Sequence, residues 1–93
     1  MPIYAISYDL NSPGQKYQRV KEAIESCGDS IKPMESFWLV DSNLTYSQIS
    51  EKVRQAHDAN DRHLVMRMSR EYQGWLTQDA WDWINRRQHK LAA

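Results

Sequence analysis

Strand-like and helix-like stretches alternate along this chain in an order that leaves few ways to fold it. Ile3-Tyr4-Ala5-Ile6-Ser7-Tyr8-Asp9-Leu10 joins aromatic and β-branched residues without a breaker, and both of its faces carry apolar side chains. That pattern predicts a mostly buried strand. Asn11-Ser12-Pro13-Gly14 ends it in a loop. Tyr17, Val20, Ala23, Ile24 and Cys27 then recur at helical spacing, and Gly28 follows where a helix C-cap takes positive φ. A first helix is expected from about Gln15 to Cys27. Pro33 interrupts the next strand-like run, which implies an edge, a bulge or a break. The expectation is a short strand over Ile31–Met34 and another over Ser36–Asp41, with almost no loop between them.

Thr45 and Gln48 have the spacing of a capping box, with Leu44 and Ile49 placed as a hydrophobic staple. They open a second helix whose inner stripe is Ile49, Val53 and Ala56, and His57-Asp58-Ala59-Asn60-Asp61 ends it in a polar turn. Leu64 to Met68 reads as a strand with Leu64, Met66 and Met68 on one side. After Gly74, Thr77 caps a third helix, Leu76 and Trp81 form its staple, and Ala80, Trp81, Trp83 and Ile84 give it an apolar face. Arg86, Arg87, His89 and Lys90 gather at its C-terminal end, as the helix dipole prefers.

With right-handed crossovers, this order predicts an α+β, ferredoxin-like β-α-β-β-α-β fold: a four-stranded antiparallel sheet plus a C-terminal helix. The expected organisation is a single domain over 1–93, with 1–69 as the ferredoxin-like core and 70–93 as an extension. Two helices cover one sheet face. The other must be covered by the third helix or by a second subunit, since Trp75, Trp81 and Trp83 would otherwise form a large apolar patch. A homodimer is expected, because a bare face and open edges are liabilities in so small a sheet, and Arg70–Leu76 is a segment that could pair with the partner's sheet.

Composition narrows the function. Among 93 residues, 12 basic side chains balance 12 acidic ones, so a partner such as RNA or DNA has to be held by a local patch or by metal ions. Four Trp, five Tyr and one Phe are enough to build much of a core or an interface. The lone Cys27, on the inner stripe of the first helix, excludes an internal disulfide and a four-cysteine zinc site. No apolar run approaches the ~18 residues of a membrane span, and Met1–Pro2 opens no signal-peptide pattern. No membrane association and a cytoplasmic location are expected. His57, His63 and His89 show no metal-ligand spacing and are expected at the surface.

Asp9 is the position of chemical interest. A carboxylate at the C-terminal end of a strand lies at a rim, where oxygen ligands can hold Mg²⁺ through one or two carboxylates and waters. It can equally accept amide hydrogen bonds and start the turn that follows. In a two-fold dimer, two copies of Asp9 would face each other across the axis.

Tyr8-Asp9-Leu10 after an apolar strand resembles the opening of the smaller CRISPR adaptation protein family, the second CRISPR-associated core protein, whose relatives include the VapD-type interferases. Met34-Glu35-Ser36-Phe37-Trp38 and Asp61-Arg62-His63-Leu64-Val65-Met66-Arg67 are similar to two further stretches of that family, in the same order. The resemblance covers residues 3–69, while the chain as a whole looks like small stand-alone bacterial proteins labelled SinR-family. It implies a ferredoxin-like dimer with Asp9 as the ligand of a divalent metal, Mg²⁺ or Mn²⁺, and as the catalytic residue. It also implies that Ser36 and Phe37 lie near the dimer axis. Met34 stands where the family has glutamine, and Asn11, Ser12 and Gln15 replace its basic residues. Lys16 and Arg19 on the first helix remain as candidates for nucleic-acid phosphates, with a solvated helix face as the other reading.

Three functions follow: a metal-dependent endonuclease or interferase acting on RNA or DNA through paired Asp9 carboxylates; a non-catalytic homodimeric module binding a protein or nucleic acid; and a regulator that covers a protein partner with its Trp-rich C-terminal segment.

Overall fold

A computed structural model describes residues 2–11 and 15–93. The expected loop at Asn11–Gly14 lies outside the described residues from Ser12 onward. Four strands form one antiparallel sheet: β1 (Ile3–Asp9), β2 (Gly28–Met34), β3 (Phe37–Ser42) and β4 (Arg62–Arg67), in the order β2-β3-β1-β4. The helices are α1 (Gln15–Glu25), α2 (Tyr46–Gln55) and α3 (Gln78–Asn85). The fold is α+β, with the β-α-β-β-α-β-α order of a ferredoxin-like arrangement.

β1 is central and buried on both faces, as its unbroken apolar run predicts. Tyr4, Ile6, Tyr8 and Leu10 join Trp38 and Val40 of β3 on one face, where Val20 and Ile24 of α1 and Ile49 and Val53 of α2 close over them. Ile3, Ala5 and Leu39 point the other way, into a second core with Trp83, Ile84 and Leu91. The third helix thus covers the second face from within the same chain. Tyr72 and Leu76 pack on this core too, and Ser69 bridges to Ala92 in parallel, so the 70–76 segment lies on its own subunit.

Local signals set the helix starts. Thr45 Oγ1 accepts from the Gln48 amide and the Gln48 side chain accepts from the Thr45 amide, completing the capping box of α2. Thr77 caps α3 through the Ala80 amide.

Two boundaries differ from expectation. α1 ends at Glu25, and Gly28 is the first residue of a longer β2. There φ is +157°, and a Cβ would sit 2.1 Å from the carbonyl oxygen of Asp41, so glycine lets the β2–β3 hairpin close. Pro33 falls in an irregular stretch of the edge strand β2, between the paired residues Ile31 and Met34, where a missing amide costs no ladder bond.

Two of the C-terminal cations, Arg87 and Lys90, are structural as well. Asp41 is buried, with Oδ2 3.1 Å from Arg87 Nε and 2.6 Å from Lys90 Nζ. Arg87 also pairs with Asp29 and lies 4.0 Å over the Trp83 ring. These contacts pin the end of α3 and the turn after it to the β2–β3 hairpin. No helix among the described residues is long and apolar enough to cross a membrane.

Candidate functional site

Asp9 ends β1 on the second sheet face, exposed, with Arg62 opposite it in the β1–β4 register. A two-residue turn, Glu35-Ser36, joins β2 to β3, and Ser36 takes φ of +56° there. The Tyr8 amide donates to the Ser36 carbonyl at 3.1 Å, and Phe37 pairs with Ser7. Antiparallel pairing therefore brings Asp9, Ser36 and Phe37 to one end of the sheet.

Among the described residues, no hydrogen bond or ion pair engages the Asp9 carboxylate, and no group of three His, Cys, Asp or Glu side chains could hold a metal. Without such a group, one chain offers too few of the oxygen ligands that a Mg²⁺ or Mn²⁺ site assembles. The residues of one chain do not fit the ion by themselves.

The second face, which also bears Asp9, is only partly covered. A groove of about 480 Å³ runs between the sheet and the 71–76 segment, lined by Met34, Phe37, Met66, Tyr72, Trp75 and Trp81 among others. Leu64 (58%), Met66 (52%), Met34 (50%) and Trp75 (97%) are all strongly exposed. Leu64 and Met66 stand opposite Ser7 and Ala5, on the face that carries Asp9.

Lys16 and Arg19 are placed differently from each other. Arg19 is exposed on α1. Lys16 is buried, with Nζ 3.0 Å from Asp58 Oδ2 and 3.0 Å from Asp61 Oδ2, so its ammonium is committed to an internal ion pair. Two exposed lysines, Lys21 and Lys32, stand elsewhere. They flank a cleft of about 340 Å³ floored by Tyr8, Tyr17 and Trp38.

Asp61 is the hub beneath Asp9. Its carboxylate accepts from the Asn11 amide at 2.7 Å, the Asp58 amide at 2.9 Å and Lys16. These donors, the Asn11 amide foremost, hold its carboxyl well below the usual range against the opposing effect of burial. The Asp61 hydrogen bond, followed by that of Asp58, raises the Lys16 pKa. The polar turn after α2 is thus partly interior, and His57 is buried against His63 rather than at the surface. Asp58 and Asp61, three apart around a turn, carried a local signal for an aspartate satisfying turn amides. The Lys16 partner, 45 residues away, carried none.

The pH dependence of stability follows from these shifts. Burial lowers the His63 pKa below its ordinary 6.5, so its contribution is full above that value and is lost as pH falls through it. Asp61, also depressed, adds a further loss below its ordinary 3.8. Lys16 and Cys27 are raised above 10.5 and 9.0, the thiol by burial, and their contributions are lost as pH rises through the folded values. Thermal melts across pH should show a plateau from about 6.5 to 9, with lower midpoints on both sides. A midpoint that climbs on acidification below 6.5 would contradict the His63 assignment.

Compared with known families and with curated proteins, the chain matches no family model and no curated protein.

Proposed function

We propose that this chain works as a homodimeric binding module for nucleic acid. In this reading, two copies meet through the uncovered half of the second sheet face. One observation carries the proposal: the exposed Met66, Met34 and Trp75 line a groove on the face that bears Asp9, and Leu64 is exposed two residues from Met66 on the same strand and face. Contiguous exposed apolar surface on a small domain marks an interaction site. Pairing there brings two Asp9 carboxylates to the rim of one interface. Lys21 and Lys32, beside the aromatic cleft, supply cationic and stacking groups for a strand in a protein with no net positive charge.

Light scattering at micromolar concentration should return the mass of two chains. Met66→Lys should return one chain that still melts cooperatively, because within a single chain this exposed side chain contributes about 0.5 kcal/mol or less. A monomeric wild type would overturn the reading.

Metal-dependent cleavage of RNA or DNA is the second reading, favoured by the exposed Asp9 carboxylate that no described donor engages. Wild type and Asp9→Ala, both shown to be folded, are compared on single-stranded and structured RNA and on DNA with Mg²⁺, Mn²⁺ or EDTA. Metal-dependent cleavage lost in the variant establishes this second reading. Absence of cleavage, or equal cleavage by both proteins, rejects it.

A further inference from the structure

The pair formed by the buried His57 and the half-buried His63 has no part in the dimer or in the Asp9 carboxylate. It lies on the α1/α2 side of the sheet, since His63 pairs with Tyr8, whereas Asp9 and Arg62 face the other way. Three short contacts run in series. Ser50 Oγ is 2.8 Å from His63 Nε2, His63 Nδ1 is 2.7 Å from His57 Nε2, and His57 Nδ1 is 2.8 Å from the carbonyl oxygen of Asp58.

When both rings are neutral, these contacts fix where the hydrogens sit. A carbonyl oxygen only accepts, so His57 Nδ1 carries a hydrogen, and the Nε2 of the neutral ring is an acceptor. His63 Nδ1 must then be the donor to it, which leaves His63 Nε2 to accept from the Ser50 hydroxyl. With both rings neutral, each carries its hydrogen on Nδ1 and every ring nitrogen is satisfied.

One added proton can be taken in without breaking the series. His57 becomes an imidazolium donating through Nε2, His63 moves its hydrogen to Nε2, and the Ser50 hydroxyl turns to accept it. A second proton cannot. Both facing nitrogens would then carry hydrogens across 2.7 Å, and two cations would sit with ring centroids 4.9 Å apart. The charged groups around the pair sharpen this limit. On α2, Arg54 is itself bonded to the His57 carbonyl and opposes protonation of His63. In the turn, the Asp61 carboxylate and Asp58 Oδ2 are taken up by Lys16 of α1, which leaves little negative charge for a second imidazolium. From β1 the neighbour in register is the neutral Tyr8.

We propose that His57 and His63 form a proton-counting switch: the fold keeps the pair through its first proton and opens it at the second, releasing the Asp58–Asp61 turn and with it Asn11. The mechanical link is short. The turn holds the chain just beyond Asp9 through the Asn11 amide on Asp61 and the Asn11 side chain on the Asn60 carbonyl at 2.6 Å. Opening therefore frees the end of β1 at acid pH, whether or not the chain dimerises through its other face.

Long-range ¹H–¹⁵N spectra of the imidazoles, recorded on the whole chain from about pH 8 to about pH 4.5, test this. At the high end both rings should show the Nδ1–H tautomer. On acidification the pair should take up its two protons in separate steps, as coupled sites do. The Asn11 and Asp58 amides should move with the lower step only. Asp61, held well below the ordinary carboxylate value, stays ionised throughout this window and does not mimic the effect. His63→Gln should abolish the lower step and leave the Asn11 amide flat. Where that variant fails to fold, His57→Gln makes the same demand. An Nε2–H tautomer of either ring at pH 8, an Asn11 amide that ignores the lower step, or an Asn11 transition surviving in a folded glutamine variant would each overturn the switch.

Discussion

Trp83→Ala should cost about 3–5 kcal/mol, the usual loss for truncating a buried tryptophan. In a domain of this size that lowers the melting midpoint by roughly 15–30 °C. Trp83 is 5% exposed at the centre of the second core, against Ile3, Ala5, Leu39, Ile84 and Leu91. Its ring is also the floor for the Arg87 guanidinium, which in turn reaches the buried Asp41. Removing it leaves a cavity and loosens the ion pairs that pin the end of α3. Trp83→Phe makes the contrast. Among the described residues the Trp83 Nε1 has no hydrogen-bond partner, so phenylalanine gives up a buried orphan donor and keeps most of the packing. Its expected cost is under about 1.5 kcal/mol. Thermal melts of both variants decide the matter. If alanine melts within a few degrees of wild type, α3 is a loosely held appendage and the second core does not stabilise the sheet.

Asp61→Ala should be the most damaging polar substitution. It removes the acceptor for the Asn11 and Asp58 amides and strands the buried Lys16 beside Asp58 alone. Leaving amide donors unpaired and a buried cation with one exposed partner costs far more than the intact cluster contributes. A midpoint lowered on the order of 10 °C or more is expected. Asp61→Asn keeps an acceptor oxygen for one amide and should fall between alanine and wild type. Lys16→Met removes the stranded ammonium, so the double variant with Asp61→Ala should melt above the sum of the two single losses. A double variant that simply adds the two losses would show that Lys16 and Asp61 are neighbours without being coupled.

The extent to which the sequence predicted this molecule depends on the range of each interaction. Thr45 with Gln48 and Thr77 with Ala80 act within one helical turn, and both caps lie where their spacing placed them. The unbroken apolar run of β1 announced burial on both faces, and that in turn required cover for the second face. Whether α3 or another subunit gave that cover depended on contacts the pattern does not contain. Arg87 and Lys90 reach Asp41 across 46 and 49 residues, and this draws the end of α3 onto its own sheet. β2 begins at Gly28 instead of Ile31 because its first residues pair with Ser42 and Asp41, an instruction written in β3.

The candidate site divides in the same way. Asp9 at the end of a strand was legible from local pattern alone. The burial of Lys16, the Asp61 hub and the meeting of His57 with His63 were not, because each polar group is interior only through a partner that the fold supplies. The sequence by itself determined the order of the elements, their caps and which strand is central, since these follow from periodicity and from hydrogen bonds a few residues long. The tertiary structure alone decided which charges are buried, which histidines touch and which half of the second face stays open. Burying a polar group is tolerable only against a partner of matching geometry, and bringing that partner into place is the work of the whole fold.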